Sequence, residues 1–305
     1  MKCLDEAIKD WMVSFKKNSV KPSTYDRLET SFGLMEHYAI SRITIDQLDE
    51  DYIQSYINDL VNDGYAMSTI KKQFHLITEF MDYANVKGLI DRPYHKAVKL
   101  PSKLAIKKPA REVVSYSESE QESLCKVLWT FERPAYSAVL LMLETGMRIG
   151  EVLALEWNDI DLRRKCVRIN KTFVRLGNHR KSYVQNDAKS FTSNRIIPLS
   201  KKALRLLEEM KIRDVFRQYV VHDDQGKPLC YEAVRWQIKK ACEEAGVPYY
   251  GQHVFRHTFA TNCYYKGCDV KRLSKLLGHS DVTITYNIYI HLFGDELEDM
   301  RLILD

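Results

Sequence analysis

Residues 251–291, GQHVFRHTFATNCYYKGCDVKRLSKLLGHSDVTITYNIYIH, concentrate more potential chemistry than any other stretch of this 305-residue chain. His253 and Arg256 stand three apart, so on a helix they share a face and can converge on one small anion. Gly267 and Asp269 read as a helix stop followed by an N-cap, which predicts a short helix over Val270–Leu277 ended by Gly278. His279 then falls on a tight turn with its ring able to enter a site. Asp281 caps another short helix, and Tyr289 rides near its end, ten positions after His279. An arginine, two imidazoles and a phenol would face one another. Each has an ordinary structural explanation by itself, since a histidine on a half-apolar helix is commonly a satisfied core residue and a buried tyrosine keeps its hydroxyl paired. In a chain with eighteen tyrosines only the ordered set is specific.

A second arginine lies upstream, in ETGMRIGEVLALEW. Pro134 stands near the start of an apolar helix that Gly146 can end, and the next helix begins near Ile149, leaving Arg148 at the junction. Backbone N–H groups and the helix dipole point the same way there, so an arginine beside them is well placed to meet an anion. An ion pair between Arg148 and Glu151 is the plainer reading, and the two are compatible. Beyond Asp161 the pattern turns to strand: Cys166–Ile169 alternates, residues 172–174 continue it, and residues 190–199 supply a second extended region, together a small antiparallel sheet. Lys189 falls in the hairpin turn between strands, where a lysine is ordinarily just solvated. Residues 162–186 carry eight Lys/Arg and no acid, a basic surface that includes Arg168 and Arg175.

The elements that must position these residues fall into two parts. Leu4, Ile8, Trp11 and Phe15 repeat at helical spacing; Pro22, Ser23 and Thr24 open a second helix, Asp49 a third ended by Gly64, and Ser68 a fourth ended by Gly88. Four helices with short loops make an all-α unit over residues 1–91. Residues 92–112 hold seven Lys/Arg, no acid before Glu112 and three prolines, the composition of an extended basic connector, with Lys99, Lys103, Lys107 and Lys108 along it. Ser117 to Glu120 form a capping box that opens the second domain, residues 113–305. Past His291 the apolar residues Phe293, Leu297, Met300 and Leu304 lie on an acidic tail with no obvious home in their own domain.

Composition narrows the class. The chain has 45% hydrophobic residues, 46 Lys+Arg against 41 Asp+Glu and a net charge of +5, so the placement of charge matters more than its total. It has no transmembrane-length apolar run, and its first residues lack the apolar core of a signal peptide, which predicts a cytoplasmic protein. Seven cysteines without a C-x-x-C pair read as reduced thiols. His253 and His257 have the spacing of a zinc protease helix but lack the glutamate next to the first histidine. No Walker loop or Cys/His quartet is present.

ETGMRIGEVLAL, AKSFTSNRIIPL, HVFRHTFAT, LLGHSDVTITYNIY and the trailing Ile-His resemble, in order, the boxes of the tyrosine recombinase, or phage integrase, family. The resemblance covers the whole second domain, and the helical first domain is similar to that family's SAM-like core-binding domain. It implies a mainly α fold, with an N-terminal four-helix core-binding domain and a mixed α/β catalytic domain that is mostly helical with a small antiparallel sheet. It implies Arg148 and Arg256 as phosphate-clamping arginines, Lys189 as the hairpin lysine, His253 and His279 as the two imidazole positions, Glu151 as acidic support and Tyr289 as nucleophile. The spacing from His279 to Tyr289 is one residue longer than in the Xer-type members, and Tyr286 competes with Tyr289 one turn earlier.

Such a site would attack a phosphodiester and leave a 3′-phosphotyrosine, storing the bond energy and requiring neither metal nor other cofactor. Fixed cationic donors would stabilise the charge that builds on the phosphorus oxygens. An imidazole would take or stabilise the phenol proton, and Lys189 would protonate the departing 5′-oxygen. The expected partners are double-stranded DNA with inverted-repeat core sites, three further copies of the chain in a tetrameric synapse held by exchange of the C-terminal tail, and accessory DNA-bending or excision factors. Lys71 and Lys72, off the apolar face of the fourth helix, are candidates for contact with specific bases. Two other readings stand beside recombination: DNA relaxation of the type IB topoisomerase kind, and a non-catalytic DNA-binding regulator derived from the family.

Overall fold

Apolar residues recurring three and four apart fold most of the chain into helices, giving a mainly α protein with a small amount of antiparallel sheet. The computed structural model describes residues 2–102, 114–177, 182–186, 194–213 and 217–289, with the backbone alone at 186 and 287–289. Lys103, Lys107, Lys108, Lys189 and the tail past His291 lie outside the described residues.

One compact unit comprises Met1–Arg111 together with Leu176–Lys181. Its helix α1 (Leu4–Trp11) buries Leu4, Ile8 and Trp11. Phe15, expected on the same stripe, is 54% exposed. Past Trp11 the helix widens into a π turn over Met12–Lys16, which changes the rotation per residue and buries Met12 instead. Helix α2 (Pro22–Met35) opens with Pro22 in its first turn rather than on a Ser23 or Thr24 cap, because the missing N–H is unpaired there anyway. Helix α3 (Glu50–Asn62) is capped by Asp49, whose carboxylate accepts from the N–H groups of Asp51 and Tyr52. Helix α4 (Met67–Val86) starts one residue ahead of the expected Ser68 cap, with Ala66 at the cap position. Ile53, Ile57, Leu60, Ile70, Ile77 and Phe80 are at most 1% exposed. Burial of each such side chain contributes about 1.5–3 kcal/mol relative to exposure.

A second unit is built from Glu112–Arg175 and Ser182–Asp305. Helix α5 (Glu118–Leu128) begins with the capping box between Ser117 and Glu120. Helix α6 (Pro134–Thr145) is buried on nearly every side from Ala135 to Met142, as its unbroken apolar run requires of a central helix. Helix α7 (Ile149–Leu153) follows. Strands β1 (Ile160–Asp161) and β2 (Cys166–Ile169) join β5 (Arg195–Pro198) in one antiparallel sheet of order β1-β2-β5. Strands β3 (Lys171–Arg175) and β4 (Ser182–Asn186) form a separate pair. Among the described residues the small antiparallel sheet expected is thus divided into these two parts. In them β4 pairs with β3 and β5 with β2. Helices α8 (Lys201–Arg213), α9 (Tyr231–Ala245), α10 (Val254–Tyr265), α11 (Val270–Leu277) and α12 (Val282–Tyr289) complete the unit. Phe255, fully buried, stacks on Tyr116 at 5.6 Å and anchors the start of α10 against the core. Among the described residues no helix is long and apolar enough to cross a membrane.

Candidate active site

The site is organised by the ends of helices, where backbone groups lack intrahelical partners. Helix α6 stops at Gly146, which takes the left-handed φ of +67° that an L side chain resists. Its carbonyl is thereby freed and accepts from Arg256 Nη1 at 2.7 Å. Arg148 occupies the N-cap of α7, and its backbone N–H donates to Glu151 Oε2 at 2.8 Å while its Nη1 donates to Glu151 Oε1 at 2.9 Å. The ion pair expected between these two residues is therefore present, with the carboxylate also lying in the first turn of a helix, where the dipole favours it.

Helix α11 ends in a second left-handed glycine, Gly278, after capping by Asp269, whose side chain accepts from the N–H of Arg272. Its last carbonyls are taken by guanidinium groups. Arg256 Nη2 donates to Leu277 O at 2.7 Å, Arg148 Nη1 to the same oxygen at 3.4 Å, Arg148 Nη2 to Gly278 O at 3.0 Å, and Arg195 Nε to Leu276 O at 2.8 Å. Cations at a helix C-terminus meet the negative end of its dipole. Arg256 is 5% exposed and the Arg148 side chain 38%, so Arg148 offers the more accessible edge.

Arg195 was not among the residues singled out from the sequence. Its Nη1 and Nη2 donate to the two oxygens of Glu151 at 2.9 and 2.7 Å, a bidentate pair. A signal for it existed: on β5, Arg195 is in phase with the buried Ile197, so an arginine there faces inward and needs a carboxylate. Burial would raise the pKa of Glu151, but its hydrogen bonds and the charges of Arg195 and Arg148 outweigh that and hold it at about 2.

His279 leaves the turn with its Nδ1 2.7 Å from Thr285 Oγ1, a hydroxyl fully buried on α12. Loss of solvent, then the charges of Arg256, Arg148 and Arg195, lower its pKa to about 4. His253 stands at the N-cap of α10 rather than within the helix, and its pKa is lowered by desolvation and by Arg256 and Arg148. His257, one turn into α10, falls to about 4 through desolvation, then His253 and Arg256. Neutral imidazoles can accept protons, and guanidinium forks beside them can hold an anion. Among the described residues no group of three or more His, Cys, Asp or Glu side chains is placed to hold a metal ion.

Arg148, Arg256, Glu151 and His279 are thus brought together. The backbone of Tyr289 ends α12, and its side chain is outside the described residues; Tyr286 is 47% exposed. Lys71 and Lys72 are exposed on α4, Lys99 is exposed beyond it, and Arg168 is exposed on β2. Arg175 is exposed but paired with Glu232 at 2.7 Å, a surface pair worth at most about 1 kcal/mol.

Residues 116–296 match the sequence profile of the phage integrase family, and residues 5–100 that of the phage integrase SAM-like domain. The chain is 27% identical over 312 residues to a tyrosine recombinase XerC-like protein of Caldanaerobacter subterraneus subsp. tengcongensis, covering 95% of this chain and 79% of that one. It is 25% identical over 309 residues to the integrase of Staphylococcus phage L54a, covering 93% and 87%. Among solved structures, the Tn1549 transposon integrase in complex with a circular intermediate DNA aligns over 100% of both chains with a TM-score of 0.83 at 17% identity. A lambda integrase dimer bound to a COC′ core site aligns over 93% of this chain and 97% of that one with a TM-score of 0.66 at 16% identity. The family match, together with the fold, defines an enzyme that recombines DNA. The chain belongs to the phage integrase family of tyrosine recombinases, enzymes that cut and rejoin DNA through a tyrosine.

Proposed function

We propose that this chain recombines specific DNA sites, with Tyr289 as its nucleophile and Arg148 and Arg256 as the clamp on the scissile phosphate. The observation that carries this reading is the convergence of both guanidiniums on the Leu277 carbonyl, at 3.4 and 2.7 Å, one residue before the turn that presents His279. The Tyr289 oxygen attacks phosphorus, the bond to the 5′-oxygen breaks, and a 3′-phosphotyrosine forms. A neutral histidine, His279 or His253, accepts the phenol proton, and Lys189 supplies the proton to the leaving 5′-oxygen. Helical register supports Tyr289 over Tyr286: position 289 is four residues past Thr285 and so lies on the face of α12 whose threonine reaches His279.

In the same reading residues 1–91 are the core-binding domain, 92–112 the basic connector and 113–305 the catalytic domain. Lys71, Lys72, Lys99, Lys103, Lys107, Lys108, Arg168 and Arg175 contact DNA. The substrate is double-stranded DNA carrying inverted-repeat core sites, in a mobile element, and four protomers form the synapse by exchanging the segment after His291. A lambda integrase tetramer bound to a Holliday junction, similar in fold to this chain, supports a four-protomer assembly. Accessory DNA-bending or excision factors join it, and the protein works in the cytoplasm. The test uses a nicked suicide duplex bearing the site that the wild-type chain selects from a random-sequence library. Tyr289→Phe should bind that duplex and form no covalent adduct, Tyr286→Phe should still form one, and Arg256→Ala should lose cleavage. An adduct persisting in Tyr289→Phe would overturn the assignment.

A further inference from the structure

The hydrogen bonds of Arg195 run inward: both terminal nitrogens donate to the two Glu151 oxygens, at 2.9 and 2.7 Å, and Nε donates to the Leu276 carbonyl at 2.8 Å. Its side chain is 8% exposed and that of Glu151 6%. Glu151 in turn orients Arg148 through that residue's Nη1 and its backbone N–H. One buried carboxylate is therefore shared by two guanidiniums. Were Glu151 to face Arg148 alone, the pair would be neutral, and Arg256 would hold the only surplus charge of the guanidinium–carboxylate set. With Arg195 present, three guanidinium charges against one carboxylate leave two positive charges. That surplus matches a phosphodiester that carries one negative charge at rest and accumulates more on its oxygens as it is attacked.

We propose that Arg195 is a positioning residue for strand transfer: by neutralising Glu151 from behind, it lets the carboxylate orient Arg148 without cancelling the charge Arg148 presents to the phosphate. The inference rests on Arg148 and Arg256 being the phosphate clamp. A buried ion pair kept only for packing would have no such dependence on the count of charges, and this separates the two roles. Removing both partners restores the surplus of two; removing Arg195 alone leaves one.

The experiment measures, in single turnover, the rate constant for covalent adduct formation on the selected nicked duplex, with the dissociation constant measured separately. Arg195→Gln should lower the rate constant about 100-fold, the scale on which one preorganised charge stabiliser acts, with a smaller effect on binding. The double variant R195Q/E151Q should recover to within about tenfold of wild type, since uncharged amides occupy both positions and the surplus is again two. A double variant as slow as Arg195→Gln, or slower, overturns the proposal, as does an Arg195→Gln that is unimpaired. Should Arg195→Gln fail to fold, the folded double variant decides against wild type: a loss of about 100-fold or more overturns the inference, and near-wild-type rates uphold it. Wild-type chain forming no adduct would overturn the functional reading itself, whereas adduct formation without rescue overturns the role of Arg195 alone.

Discussion

Replacing Gly146 by alanine perturbs the clamp at a point where the structure allows the cost to be worked out. The residue holds φ at +67°, and an added Cβ would lie 2.4 Å from Phe259 Cδ1, 2.7 Å from Phe259 Cε1 and 3.0 Å from Leu277 Cδ2. The left-handed backbone costs an alanine about 1–2 kcal/mol. Forcing a methyl group against a ring held on α10 adds about 1–3 kcal/mol of overpacking. Gly146→Ala should therefore destabilise the catalytic unit by about 2–5 kcal/mol, read as a lowered urea midpoint at unchanged slope. Phe259→Ala in the same chain removes the clash but not the dihedral strain, so the double-mutant cycle should show a favourable coupling of about 1–3 kcal/mol. Activity should fall as well, because the Gly146 carbonyl receives Arg256 at 2.7 Å and sits two residues before Arg148. A displacement of a few tenths of an ångström there misaligns both forks, and adduct formation should slow by at least about tenfold in protein that remains folded. A Gly146→Ala protein less than about 0.5 kcal/mol below wild type would refute both the close approach and the strain argument.

Further outcomes follow from the same contacts. Stability should fall with acid: His257 and His279 are held near 4, below their ordinary value of 6.5, so the unfolded chain binds more protons and stability is lost as pH falls between those values. Glu151, held near 2 against an ordinary 4.5, contributes about 3 kcal/mol that is present above 4.5 and lost on the way down to 2. Urea midpoints against pH check this, and Glu151→Gln should flatten the lower part of the curve. A midpoint that rises on acidification across either range would contradict it. Thr285→Val removes the hydroxyl at His279 Nδ1 and should slow adduct formation by roughly five- to tenfold, the worth of one hydrogen bond, whereas Thr285→Ser should stay near wild type. Lys71→Ala with Lys72→Ala should reduce the slope of log affinity against log salt by about 1.8 if both lysines meet phosphates; an unchanged slope would place them off the DNA.

Helix ends written in side chains were legible. Asp49, Ser117 and Asp269 cap the helices they were expected to cap, and Gly146 and Gly278 end theirs, because each signal acts within a few residues of itself. Arg148, Glu151 and His279 lie beside such signals, but their grouping with Arg256 at one site was what the resemblance of the motifs implied, not what the helix ends alone gave. Features set by distant partners were not legible in the same way. Strand β2 pairs with β5 across the whole of β3 and β4, which alternation alone does not reveal. Arg195 finds its carboxylate 44 positions upstream. Phe15 fits the helical period, yet a π turn moves it to the surface.

The three guanidiniums that meet at the end of α11 are held there by main-chain oxygens of Leu276, Leu277 and Gly278. A peptide oxygen survives any replacement of the side chain next to it. The seating of these cations is therefore insulated from much of the drift that erodes side-chain networks, and residues 276 and 277 can change with the needs of the core around them. What cannot be exchanged is the left-handed turn at Gly278, with φ at +67°, on which the direction of those oxygens depends.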